Sequence, residues 1–190
     1  DILMNDSVSM HQSLTDRDDS VLIVIDVQQA FLDKLEPRQA GLLTNRIGWL
    51  VQVAAQLDVP IIATAEDIPV QGSTIPQIAQ FFPGETIEFN KEYFGLAGDA
   101  RILSAVKQTG KKTAVIVGLE TDVCIMQSAI GLLQNGFRVM VLSDATASPG
   151  PCHEAGIERM KNAGVIISTV KGLFYEWTRK AGVATTKLDP

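Results

Sequence analysis

Cysteine, histidine, tryptophan and tyrosine each occur only twice in the 190 residues, and 16 Lys and Arg are outnumbered by 22 Asp and Glu. Each scarcity excludes something. Two cysteines, Cys124 and Cys152, cannot build a disulfide framework and suit a reducing compartment. The net charge of −6 and the pI near 4.9 argue against a nucleic-acid partner, since phosphate backbones are bound by clustered Lys and Arg. No apolar run approaches the roughly 20 residues that cross a bilayer. No basic segment followed by an apolar core opens the sequence, so a cytoplasmic protein without a membrane partner is expected. Repeats and low-complexity tracts are also missing. What is present is an apolar fraction of 46%, enough for one globular domain with a substantial core.

The first 20 residues, with Asp6, Asp16, Asp18 and Asp19 and no periodicity, are expected to form an extended arm on the surface or on a neighbouring subunit. Residues 21–190 are expected to form a single domain. Val21-Leu22-Ile23-Val24-Ile25 is an unbroken run rich in β-branched residues, which suits a central parallel strand covered on both faces. Ile47, Leu50, Val51, Ala54 and Leu57 then recur at helical spacing, and Val59-Pro60-Ile61-Ile62-Ala63-Thr64 follows as a second strand. Residues 65–98 carry Pro69, Gly72, Pro76, Pro83, Gly84, Gly95 and Gly98 and are irregular apart from a short strand at 86–89. In a compact domain so long a stretch marks an active-site loop or lid.

A helix at 100–108, a strand through Val115-Ile116-Val117 and a helix bearing Ile125, Ala129, Leu132 and Leu133 come next. A strand at 136–142 stopped by Ser143-Asp144, a helix at 153–162, a strand at 165–169 and a short helix at 173–180 complete the pattern. Strands alternating with helices predict an α/β fold, a three-layer α/β/α sandwich on a mostly parallel, Rossmann-like sheet of six strands. Sites in such sheets lie beyond the carboxyl ends of the strands, where the strand order reverses. That rule selects Asp26, the residues after Thr64, the turn before Cys124, and Ser143-Asp144.

Asp26 follows five apolar residues, so its carboxylate should sit at a strand's mouth, partly dehydrated, with a raised pKa and the capacity to relay a proton. Cys124 follows Val115-Ile116-Val117-Gly118-Leu119-Glu120-Thr121-Asp122-Val123, read as strand, tight turn and the first turn of a helix. Thr121 or Asp122 is placed to cap that helix, and its positive end biases a thiol toward thiolate. Taken alone, the cysteine reads as a small buried hydrophobe. Lys91, between aromatic residues in Glu88-Phe89-Asn90-Lys91-Glu92-Tyr93-Phe94, reads by itself as a solvated loop lysine; held over the end of the sheet it would stabilise a thiolate and an oxyanion. His153 at a helix start offers a Cys-His-Asp alternative.

Ile25-Asp26-Val27-Gln28-Gln29-Ala30-Phe31, the lysine of Lys91-Glu92-Tyr93-Phe94 and Gly118-Leu119-Glu120-Thr121-Asp122-Val123-Cys124 together resemble the isochorismatase-like cysteine hydrolase superfamily, in order, spacing and residue type. The likeness runs from about Val21 to the last strand. It implies a catalytic triad of Asp26, Lys91 and Cys124, and a cis peptide between Leu119 and Glu120. It also implies an oxyanion hole from the backbone N–H groups of Glu120 and Cys124. Nicotinamidases of this superfamily place a metal site, one aspartate and two histidines, after the second strand. This sequence has Thr64-Ala65-Glu66-Asp67-Ile68-Pro69 there, and its histidines are His11 and His153. No metal or other cofactor is therefore expected, although Glu66 or Asp67 could meet a weak cation.

The implied reaction is hydrolysis of a C–N bond in a small amide, ureide or related carbonyl substrate through a thioester. Gln28, Phe31, Ile68, Tyr93, Phe94 and Leu119 are candidates for the substrate pocket. Members of the superfamily are usually oligomers, so a homo-oligomer is expected. Two rivals compete with the hydrolase. One is a small-molecule-binding or scaffold protein of the same fold that has lost turnover; the other is a thiol oxidoreductase using Cys124 and Cys152, for which no Cys-x-x-Cys pair exists.

Overall fold

The computed structural model describes residues 13–182. Two strands whose every residue is buried form its centre: β1 (Ser20–Ile25) and β4 (Thr113–Leu119). Both are nearly continuous apolar runs because both faces of the sheet are covered. Successive side chains point to opposite faces of a strand, and the two cores divide accordingly. Leu22, Val24, Val115 and Val117 pack with helices α1 (Pro37–Gln56) and α5 (Val170–Thr178). Val21, Ile23, Ile25, Ala114 and Ile116 pack on the other face with α2 (Ala100–Gln108), α3 (Met126–Gln134) and α4 (Cys152–Ala163). Trp49 and Trp177 lie in the first of these cores.

The remaining strands are β2 (Ile61–Glu66), β3 (Ile87–Lys91), β5 (Arg138–Ala147) and β6 (Ile166–Ser168). All six are parallel, in the order β3-β2-β1-β4-β5-β6. The chain runs outward from β1 through β2 to β3, then returns to lay β4 on the other side of β1. The reversal leaves a crevice at the carboxyl ends of β1 and β4, where an open α/β sheet binds its ligands. The predicted sandwich and its six-stranded parallel sheet are therefore observed.

Several boundaries differ from the sequence expectation. β2 continues past Thr64 to Glu66, and β3 extends to Lys91, because the two strands pair as far as Glu66 opposite Lys91. Ser143-Asp144 does not stop β5. The register between β4 and β5 slips from Ile116 opposite Val141 to Gly118 opposite Thr146, and the strand resumes after the irregularity. The two polar residues bind the neighbouring segment: Asp144 accepts the Val170 N–H that opens α5 (2.9 Å), and Ser143 Oγ donates to Ser168 O (3.2 Å). Of the expected arm, Ser13 and Thr15 are held by Arg138 of β5, Arg17–Asp19 form one 3-10 turn that meets Lys111 and Lys112, and Ser20 already belongs to β1. Thr15 is buried, Arg138 Nη1 donates to Thr15 Oγ1 (2.8 Å) and Arg138 Nη2 donates to Ser13 O (2.6 Å). Residues 1–12, including His11, lie outside the described residues. Among the described residues no helix is long and apolar enough to cross a membrane.

Candidate active site

Asp26 is the first residue beyond β1 and takes a left-handed backbone conformation, φ 52°. Its N–H still donates to Thr64 O (2.9 Å), so the ladder to β2 fixes its position, and Thr64 Oγ1 donates to its Oδ1 (2.9 Å). Lys91 closes β3 and reaches the same point from the sheet edge. Its ammonium lies 3.0 Å from Asp26 Oδ2, with both side chains fully buried. It also donates to Tyr93 O (2.6 Å) and Phe94 O (2.8 Å) and approaches Cys124 Sγ at 3.5 Å. A lysine is normally solvated; here a carboxylate and two carbonyls replace water.

Gly118 delivers the cysteine. At its φ of 128° a Cβ would stand 1.9 Å from Ile25 O, so only glycine lets β4 lie this close to β1. The Leu119–Glu120 peptide is cis. Thr121–Ile125 then forms one π-helical turn leading into α3, with Cys124 4% exposed.

Neither Thr121 nor Asp122 caps this helix; Glu120 occupies the cap position without a side-chain bond. Both residues are instead tethers. Thr121 Oγ1 lies 3.0 Å from Thr146 Oγ1 and 2.7 Å from His153 Nδ1, and Asp122 Oδ1 accepts from Ser148 Oγ (2.7 Å). His153 therefore meets Thr121, and burial lowers its pKa. Gly156 of α4 lets that helix sit against the turn: a Cβ there would be 2.9 Å from both Cα and N of Asp122. Gly156→Ala is expected to cost about 1–3 kcal/mol by overpacking and to slow alkylation of Cys124. Urea unfolding combined with alkylation kinetics checks this; unchanged kinetics would mean that the turn does not depend on α4.

The electrostatics correct the expectation of a thiolate. Burial pushes the Cys124 thiol well above the ordinary cysteine range, the charge of Asp26 adds to the effect, and Lys91 offsets only part of it. Burial also raises Asp26, against the pull of Lys91 and its hydrogen bonds. Burial thus works against a thiolate and makes the neighbouring carboxylate more basic. A helix terminus stabilises an anion only when desolvation does not outweigh it, and here desolvation is the larger effect.

A fourth group joins these three. Glu66, at the end of β2, accepts from Cys124 Sγ at 3.7 Å, and its pKa is raised by burial and then by Asp26. Ligand atoms of Asp26, Glu66 and Cys124 lie within 4.8 Å of one another. The ammonium of Lys91 supplies positive charge among them. The sequence expectation gives Glu66 no role beyond meeting a weak cation, because it ends β2 at Thr64 and leaves Glu66 in the irregular stretch. The period of two from Ile62 through Thr64, carried one step further, puts Glu66 on the face that holds Asp26.

A cleft of about 320 Å³ opens beside this group, lined by Glu66, Asp67, Gln71, Lys91, Glu92 and Phe94. Of the pocket candidates, Phe94 lines it, and Ile68 is half-buried in the adjoining turn. Tyr93 turns toward a separate groove with Gly98 and Gln127. Phe31 lies under Lys34, and Leu119 is fully buried in the core. Gln28 is also fully buried; its amide donates to Glu66 O (2.8 Å) and Gly72 O (2.7 Å) and accepts from Glu66 N (2.8 Å). Cys152 is exposed and free, and Cys124 is buried and free, so the two thiols are not joined.

With the site described, comparison places the chain. The family model for the Isochorismatase domain matches residues 20–172. Isochorismatase family protein 1B of Dictyostelium discoideum is 29% identical over 167 residues, covering 85% of this chain and 80% of that relative. The solved structure of YcaC from Pseudomonas aeruginosa, with hexane-2,5-diol and covalent acrylamide, superposes with a TM-score of 0.82 at 25% identity, covering 88% of this chain and 84% of that one. Escherichia coli YcaC, described as an octameric hydrolase of unknown specificity, also gives a TM-score of 0.82 at 25% identity, covering 88% and 83%.

Proposed function

Since this chain belongs to the isochorismatase family, we propose that it is a cysteine hydrolase that opens a C–N bond of a small amide, ureide or related carbonyl compound through a thioester. The observation that carries the reading is the buried Asp26–Lys91 pair, 3.0 Å apart, whose ammonium also stands 3.5 Å from the sulfur of Cys124. A lysine and an aspartate buried around a thiol are costly to maintain as packing alone.

Cys124 Sγ attacks the carbonyl carbon while its proton passes to Asp26, and the carbonyl π pair moves onto oxygen. The N–H groups of Glu120 and Cys124 receive that oxyanion, with Lys91 balancing the charge of the assembly. Collapse of the tetrahedral species breaks the C–N bond, and the leaving nitrogen takes the proton from Asp26. Water then attacks the thioester, Asp26 accepts its proton, and the acid leaves as the thiol is restored. Because burial disfavours the thiolate, proton transfer accompanies attack, and the base must be ionised. The acid limb of the rate profile therefore lies above the ordinary carboxylate range, in the direction burial moves Asp26. Activity falls as pH drops through that limb.

The covalent acrylamide in the Pseudomonas relative supports a reactive group reached by small amides, and the octameric Escherichia relative supports a homo-oligomer. The test is intact mass after exposure to a panel of small amides and ureides. An adduct of acyl mass confined to Cys124, and formed about 10²- to 10⁴-fold more slowly in Asp26→Asn, is expected. Adducts that form equally fast in Asp26→Asn would sink the assignment of the base. No adduct and no turnover across the panel would favour the binding-protein reading.

A further inference from the structure

We propose that Glu66 is the residue of this site that faces the substrate's nitrogen-bearing side, so that the site takes neutral or cationic amides and turns away those with a carboxylate beside the reacting carbonyl. The inference rests on the cysteine-hydrolase reading and narrows its substrate class.

Two carboxylates flank Cys124, and they differ in what they can meet. Asp26 is fully buried and engaged by Thr64 on one oxygen and Lys91 on the other. Glu66 is only half-buried, lines the cleft, and holds Oε1 3.7 Å from the sulfur, so a carbonyl carbon brought to that sulfur has Glu66 as its open-side neighbour. Its placement is fixed by two supports. Gln28, fully buried, binds both the N–H and the carbonyl of Glu66, and the β2–β3 ladder sets Glu66 opposite Lys91. A carboxylate held in this way is pre-organised to accept an N–H.

Acidic groups outnumber Lys91 around it. Asp67 and Glu92 line the same cleft. The nearby cations are already paired: Lys91 with Asp26, Arg101 with Asp99, and Lys34 with Glu120 at 3.9 Å. A cleft with one sign of charge and low-dielectric walls attracts the opposite sign and repels its own. A primary amide or a ureide presents N–H donors to Glu66, and an ammonium does so with added attraction. A carboxylate there would meet Glu66, while Lys91, the cation that lines the cleft, already faces Asp26.

The test uses three methanethiosulfonates of similar size, bearing a trimethylammonium, no charge or a sulfonate. Their second-order rates on Cys124 are followed by intact mass in a Cys152→Ser background. The cationic reagent is expected to outpace the anionic one by about tenfold or more, the scale of one charge acting over a few ångströms near a protein surface. In Glu66→Gln the ratio should fall toward one, whatever change all three rates share from losing a charge beside the thiol; Glu66→Asp should keep the preference. The groups facing Glu66 are Asp26, Lys91, Cys124 and Asp67, with Glu92 across the cleft. All three reagents react with the same sulfur, so their ratio isolates the field: it should grow from pH 5 to pH 8 in the native protein and grow less in Glu66→Gln, where Asp26 is the remaining carboxylate beside the sulfur. A native ratio near one, or a ratio unchanged in Glu66→Gln, overturns the inference and leaves the hydrolase reading standing. If no reagent modifies Cys124 although the small amides acylate it, the cleft beside Glu66 is not the path to the sulfur, and the inference falls while the hydrolase reading stands.

Discussion

Lys91→Met is expected to destabilise the protein by about 3–5 kcal/mol, because removing one partner of a buried ion pair strands the other. For a domain of this size that is a fall of about 10 °C in Tm. Methionine matches much of lysine's volume, so cavity formation adds little, and the loss is chiefly electrostatic. Two further measurements identify the cause. The deficit should shrink as pH falls, since protonation of Asp26 removes the stranded charge, and Asp26 is already raised by burial with Lys91 in place. The double variant Asp26→Asn with Lys91→Met should regain most of the lost stability while remaining inactive. A single-variant loss below about 1 kcal/mol, or no recovery in the double variant, would show that the pair is not held as the 3.0 Å contact implies.

Cys124→Ala should lower turnover by on the order of 10⁴-fold or more, the scale seen when a covalent nucleophile is removed from an assembled site. Stability should change by less than about 1 kcal/mol, because the sulfur is small and its contacts with Lys91 and Glu66 are long, 3.5 and 3.7 Å. Cys124→Ser should be nearly as inactive, since a hydroxyl in the same buried place loses its proton less readily than a thiol. Parallel activity assays and thermal unfolding on the three proteins decide the matter. Residual turnover within tenfold of the native protein would move the reaction away from the sulfur and toward direct attack by water.

The parallel sheet was legible because β1 and β4 are apolar without interruption, and the residue that breaks each run marks its mouth. Asp26 and the turn to Cys124 followed from that alone. Lys91 was legible only through the family motif, because by itself it reads as a solvated lysine, and its burial depends on carbonyls that folding brings to it. Glu66 was missed because the strand was ended where its apolar character fades, whereas the ladder to β3 carries it two residues further. Ser143-Asp144 misled for the opposite reason: a polar pair reads as a stop, yet here each side chain serves a neighbouring segment from within an irregular strand. The expected thiolate followed from a helix terminus, a local feature. The raised thiol follows from burial among groups distant in sequence, which no local pattern records.

The tethers of the cysteine turn carry a final consequence. Thr121, Asp122 and the contact at Gly156 anchor the nucleophile to β5 and α4, whereas Asp67, Gln71, Glu92 and Phe94 of the cleft wall belong to the segments around β3. On the proposed reading, the attacking sulfur and most of the cleft wall are thus carried by separately supported parts of the chain, joined at Lys91. If the proposed chemistry holds, side-chain changes at Asp67, Gln71 and Glu92 should alter which molecule is accepted without retuning the sulfur, so a lineage built on this scaffold could diversify its substrates while its chemistry stays constant.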